Sequence, residues 1–245
     1  KLKFSPKEGK YVIRILPNLH PNFPFGKDAR PFLPLGFYYD FGATWLAPAQ
    51  FDEPDAIAEF RSTIVDQANA AKREGNKDKS DELWKSSNVF KFKDRICVPV
   101  LVKTYTDPSG KTADGFEKEG VKWWWFSPKT YRDILAICDD PDYGDIFDLK
   151  EGRDITITYT PKEKTANGFA ETDILAKPKQ TPATTDRDVL EAIKNMPDII
   201  ALQVKPTYEE TKAGLEKYLN GLKPAESTKA ERDKEFLDDL NKPVV

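Results

Sequence analysis

Three consecutive tryptophans, Trp123, Trp124 and Trp125, sit between Lys122 and Phe126, and the whole chain of 245 residues contains only five. The run reads as a strand, and a strand sends successive side chains to opposite faces. Lys122, Trp124 and Phe126 then share one face, and Val121, Trp123 and Trp125 share the other. One sheet in a small domain does not readily hide both. A solvated face of lysine and aromatic rings suits stacking on unpaired nucleic-acid bases. The competing reading is a core strand. Burying Lys122 without a partner is costly, so Lys122, Trp124 and Phe126 are expected outward, with Trp123 and Trp125 packed inside. The inverse assignment is the alternative.

A second strand, over about 89–105, carries the charge. Its even positions Phe90, Phe92, Ile96, Val98, Val100 and Val102 are apolar and should line a core. Its odd positions bear Lys91, Lys93 and Arg95, then Lys103 and Tyr105. Pro99 marks an edge or bulge. Acidic residues collect elsewhere, from Asp139 to Asp154. The net charge of −3 is therefore segregated, as in a chain with one basic groove. A bland reading of the cation row is a solvated strand face.

The remaining pattern is strands with helices set between them. Residues 10–16 and 35–41 alternate as strands, and a polar, proline-rich loop joins them. Ile57, Phe60, Ile64 and Val65 recur at helical spacing up to about Arg73, with Asp52 as cap and Pro54 in the first turn. A short helix over 80–86 follows, and Ile57, Phe60, Ile64 and Trp84 are its expected apolar packing with the first. Ser127 caps a helix whose apolar side is Tyr131, Ile134, Leu135 and Cys138. Residues 153–160 and 168–176 read as a hairpin turning near Asn167 and Gly168. Beyond about 178 come helices near 185–196, 207–220 and 227–241, two opening on the capping boxes Thr207-x-x-Glu210 and Thr228-x-x-Glu231. The fold class expected is mainly β with helical insertions: an OB-fold barrel with a helical subdomain between strands and C-terminal helices. A five-stranded α+β sheet competes. The domains expected are a binding core over 1–180, with its helical insertion at about 51–87, and a helical appendage over 181–245.

Residue counts narrow the chemistry. Cys97 and Cys138 form no C-x-x-C pair and read as buried thiols of a reducing compartment. The single histidine, His20, lies in a loop, and no spacing supports zinc, so no metal or cofactor is expected. P-loop, G-x-S-x-G and H-E-x-x-H motifs are missing. No apolar run reaches the roughly 20 residues that span a bilayer, and no secretory pattern opens the chain. It starts at Lys1 and not methionine, which reads as a trimmed fragment.

Val12-Ile13-Arg14-Ile15-Leu16-Pro17 resembles the first-strand signature of the T-even bacteriophage single-stranded DNA-binding (helix-destabilising) proteins. A helical insertion, the basic strand ending Val100-Leu101-Val102-Lys103, the strand Val121–Phe126 and the helix with Tyr131, Asp133 and Ile134 then keep that family's order. The likeness covers about residues 9–180. It implies an OB barrel whose basic cleft holds unpaired DNA, with Arg14, Lys91 and Trp124 at positions of an arginine, an arginine and a tyrosine. It also implies work in phage DNA replication, recombination and repair, in the cytoplasm of an infected bacterium. Partner proteins would dock on the C-terminal region, and copies would associate cooperatively on DNA. The family's zinc ligands are not matched, since Asp52-Glu53-Pro54-Asp55-Ala56 holds no cysteine. This would be a zinc-less variant. Its basic N-terminal segment is not evident, and its acidic tail is matched only by Asp238-Asp239.

The candidate DNA-binding residues are Arg14, Tyr38, Trp45, Lys91, Lys93, Arg95, Lys103, Tyr105, Lys122, Trp124 and Phe126. Tyr38 is expected outward, opposite a core face of Leu35, Phe37, Tyr39 and Phe41. No catalysis is expected. Alternative readings are an aromatic-faced protein-interaction or virion structural module, and a metal-dependent nuclease using Asp139, Asp140 and Asp142.

Overall fold

A computed structural model describes residues 2–26 and 29–221. Its strands are β1 (Lys3–Phe4), β2 (Gly9–Ile15), β3 (Leu33–Tyr38), β4 (Trp45–Leu46), β5 (Lys93–Thr106), β6 (Thr112–Ala113), β7 (Lys122–Phe126), β8 (Arg153–Thr160) and β9 (Glu171–Gln180). Its helices are α1 (Ala56–Arg73), α2 (Lys77–Ser87), α3 (Pro128–Cys138), α4 (Arg187–Lys194) and α5 (Tyr208–Gly221). Helices cover as much of the described chain as strands do, so the fold is mixed α/β and not mainly β. The nine strands form one open sheet whose main path is β1-β7-β5-β2-β8-β9. Its two ends do not pair, so no closed barrel forms among the described residues.

Local chemistry explains most element ends. Asp55, not Asp52, caps α1, accepting from the backbone N–H of Ile57 and Ala58. Asp52 instead takes a left-handed φ of 58° after a short 3-10 turn. Gly75, with φ of 79°, supplies the turn between α1 and α2, and Asn76 caps α2. Ser127 caps α3 with Pro128 in its first turn, and Thr207 and Glu210 close the capping box of α5. The third C-terminal segment and Thr228-x-x-Glu231 lie outside the described residues.

The chain forms two compact units, Lys1–Leu35 with Asp94–Leu202, and Gly36–Lys93 with Gln203–Val245. α4 falls in the first unit and α5 in the second, although the sequence reading grouped both in one appendage.

In the first unit the sheet buries both faces. On one face Tyr11, Ile13, Ile15, Ile96, Val98, Val100, Trp124, Phe126, Ile155 and Ile157 form a core with Ile134 of α3. Register explains the match, since Val98 stands opposite Trp124 and Ile96 opposite Phe126. The other face buries Cys97, Leu101 and Trp123. Trp123 lines a pocket with His20, Phe23, Leu33 and Ile199.

In the second unit Ile57, Ile64, Ala68, Leu83, Phe90 and Leu215 form the core, with Phe60 and Trp45 packed against it. Trp84, expected inside, is 37% exposed, and Leu83 takes the buried position. The backbone of β3 leaves no room for a side chain at Gly36, where a Cβ would overlap the Phe92 ring.

Candidate nucleic-acid interface

The tryptophan strand buries Trp123, as expected, but it also buries the face that was expected outward. Trp124 and Phe126 are 1% and 5% exposed and sit in the core, with ring centroids 4.5 Å apart. Neither can stack on a base. Trp125, expected inside, is half-buried on the other face, opposite Cys97 of β5. The reason is Lys122. Its ammonium was expected to force its face into water, but it lies at the strand's first position. There Nζ reaches the Glu119 carboxylate at 2.6 Å, and that hydrogen bond holds Glu119 below the usual carboxylate range. One rim lysine thus snorkels while the rest of its face is core.

Arg14 is also corrected from surface to interior. It is fully buried. Nε donates to Asp154 Oδ1 at 2.9 Å, Nη1 to the Asp148 carbonyl at 3.2 Å, and Nη2 to the carbonyl and hydroxyl of Thr181, both at 2.8 Å. Burial lowers its pKa, and Asp154 opposes that shift. Gly152 is required here, because a Cβ would stand 2.7 Å from the Ile146 carbonyl and 2.9 Å from Arg14 Nη1. Lys103 joins the same carboxylate, Nζ to Asp154 Oδ1 at 3.0 Å. Two nominated cations therefore converge, but on a protein anion.

Tyr105 is half-buried, stacked on Tyr11 at 4.7 Å, and donates its hydroxyl to the Glu8 carbonyl at 2.8 Å. Arg95 is half-buried. It lies two residues before Cys97 in β5, so it shares a sheet face with Trp125, one step along the diagonal.

In the second unit Lys91 and Lys93 are exposed, and Lys93 Nζ donates to the Asn88 carbonyl at 3.3 Å. Tyr38, expected outward, is 2% exposed and donates to Asp55 Oδ2 at 3.0 Å. Burial, with Asp55 adding to it, pushes its phenol well above the ordinary value. Tyr39, expected in the core, is 42% exposed. Trp45 is half-buried, and Gly214 admits its ring at a distance where a Cβ would stand 2.7 Å away.

The sequence reading did not nominate Trp125 or Phe169. Phe169 is 75% exposed in the β8–β9 turn, which also carries the exposed Lys162 and Lys164. The signal was there: an aromatic directly after an Asn-Gly hairpin turn has no core to enter. In the acidic segment, Asp139 pairs with Arg30 at 2.6 Å, while Asp140 and Asp148 accept from nearby backbone N–H groups. Cys97 and Cys138 are free, the first buried and the second half-buried. Among the described residues, no helix is long and apolar enough to cross a membrane.

No family model matches the chain, and no curated protein matches it.

Proposed function

We propose that this chain is a single-stranded DNA-binding protein without sequence preference. It serves phage DNA replication, recombination and repair in the cytoplasm of an infected bacterial host, and it performs no catalysis. The observation that carries the reading is a cation and a ring on one face: Arg95 and Trp125, on neighbouring strands β5 and β7. The sequence expectation had instead joined Lys122 to Trp124 on one face, with Trp125 inside. Base stacking on one aromatic ring contributes about 1–3 kcal/mol whatever the base. Arginine adds phosphate pairing and planar stacking. Phe169 with Lys162 at the hairpin tip offers the same combination a second time.

The sheet is read here as an OB-type barrel left unclosed, since OB folds are partly open five-stranded barrels. Support comes from the path β7-β5-β2-β8-β9, with α3, which follows β7, packing against β9 at the far end. Loops between strands are where OB folds add contacts to oligonucleotides, and the β8–β9 turn fits that role. Partner replication or recombination proteins would engage the C-terminal region, whose residues after 221 lie outside the described part.

Titration with oligo-dT at low salt tests the reading through intrinsic tryptophan fluorescence. Quenching that weakens as salt rises is expected. Unchanged fluorescence together with no retention on single-stranded DNA sinks it.

A further inference from the structure

We propose that the outward face of β9 is a self-association surface whose occupant is a second copy of this chain. The two β9 strands run antiparallel across a two-fold axis at Leu175.

β9 ends the strand path, and its alternate residues Glu171, Asp173, Leu175, Lys177 and Lys179 are all exposed. Thr172, Ile174 and Ala176, between them, are less exposed, and Ile174 packs on the core, while Pro178, between the two lysines, is exposed where the register against β8 shifts. The outward row thus reads two anions, one leucine 65% exposed, and two cations. Asp173, Lys177 and Lys179 form no ion pair among the described residues.

That order is self-complementary in one orientation only. An antiparallel two-fold through Leu175 sets Glu171 against Lys179, Asp173 against Lys177, and Leu175 against itself. A parallel pairing in register would set like charges together, which is destabilising. Isologous contacts demand this property, since residue i meets j while j meets i. The contact involves few residues, so it is weak between free molecules. It strengthens when two copies are held near each other, where local concentration reaches the millimolar range. The surface does not depend on the nucleic-acid reading, and its test contains no DNA.

A residue on a two-fold axis meets its own copy, so a cysteine there cross-links. The test places Leu175→Cys in the full chain carrying Cys138→Ala, under mild oxidation at low ionic strength. Ala192→Cys, exposed on α4, is the off-axis control. The proposal expects Leu175→Cys to give disulfide dimer at least tenfold faster than the control. Adding Lys177→Glu should abolish that advantage, and adding Asp173→Lys to Lys177→Glu should restore it, because the swapped row is again self-complementary. Equal rates at the two positions overturn the proposal. So does a fast rate indifferent to both charge changes, which would mark a purely apolar encounter. Circular dichroism confirms that each exposed-site variant is folded.

Discussion

Arg14 donates its Nε–H to Asp154 across 2.9 Å, and the guanidinium has no exposure to solvent. Its other donors reach carbonyls at residues 148 and 181, so one side chain ties β2 to the start of β8 and to the segment leaving β9. A charge so enclosed is tolerated because nearly every donor is used. The position that the family resemblance assigns to DNA is a tie inside the first unit.

Arg14→Ala should therefore cost stability and not affinity. Removing the guanidinium strips the acceptors at residues 148 and 181 of their donor and leaves Asp154 with Lys103 alone, at about 3 kcal/mol, the lower end of what breaking a buried pair costs. Arg14→Lys should recover little, because one ammonium cannot reach the carboxylate and both backbone acceptors in that fork geometry. Urea unfolding at neutral pH measures both. A variant that keeps its midpoint yet loses oligo-dT would return Arg14 to the binding surface.

Trp124→Ala and Trp125→Ala should separate cleanly. Trp124 is in the core, packed on Phe126 and Phe4, and truncating a buried tryptophan costs about 3–5 kcal/mol. Trp125 is half-buried, so its loss should cost clearly less stability while removing most of the fluorescence response to DNA. Thermal unfolding and fluorescence titration of the two variants decide it. Equal destabilisation with an intact DNA response in Trp125→Ala would count against the interface.

How far the sequence led depends on which force set each position. Period-two patterns placed β2, β5, β7, β8 and β9, and capping residues placed α3 and α5, because those signals are local. The even face of β5 was legible as core because nothing opposed it. Faces failed where a second layer covers the sheet. Trp123 and Trp124 are both buried, as are Phe37 and Tyr38, and alternation cannot reveal a strand hidden on both sides. Arg14 failed for a related reason: its partners lie 134 to 167 residues away, and no pattern announces them. Lys122 misled because a partner three residues off, Glu119, was left out of its desolvation cost.

Arg95→Ala and Lys162→Ala should each flatten the salt dependence of DNA binding. Each phosphate neutralised contributes about −0.7 to the slope of log affinity against log salt on single strands. Phe169→Ala should weaken binding by about 1–3 kcal/mol and leave the slope unchanged, since stacking releases no counterions. Affinities at several salt concentrations, with one oligonucleotide length, give both quantities. A slope unchanged in Arg95→Ala and Lys162→Ala would remove those cations from the interface, and an unchanged affinity in Phe169→Ala would remove the ring.

Stability should fall on the alkaline side, with a sign set by the thiols. Burial pushes the Cys138 thiol up from 9.0 to about 11, with Asp139 and Asp145 adding to the shift and Arg30 opposing it. Burial pushes Cys97 well up too. Between about pH 9 and 11 the unfolded chain has released these protons and the native chain still holds them. The unfolded state binds fewer protons there, so unfolding becomes easier as pH rises. Buried Tyr11 and Tyr38, also raised by burial, extend the same trend above pH 10. The urea midpoint should therefore decline from pH 9 to pH 11, and a Cys97→Ala, Cys138→Ala double variant should hold its own midpoint nearly level until tyrosine ionisation begins. A wild-type midpoint flat across that window would mean that the two thiols ionise as freely in the folded chain as in the unfolded one.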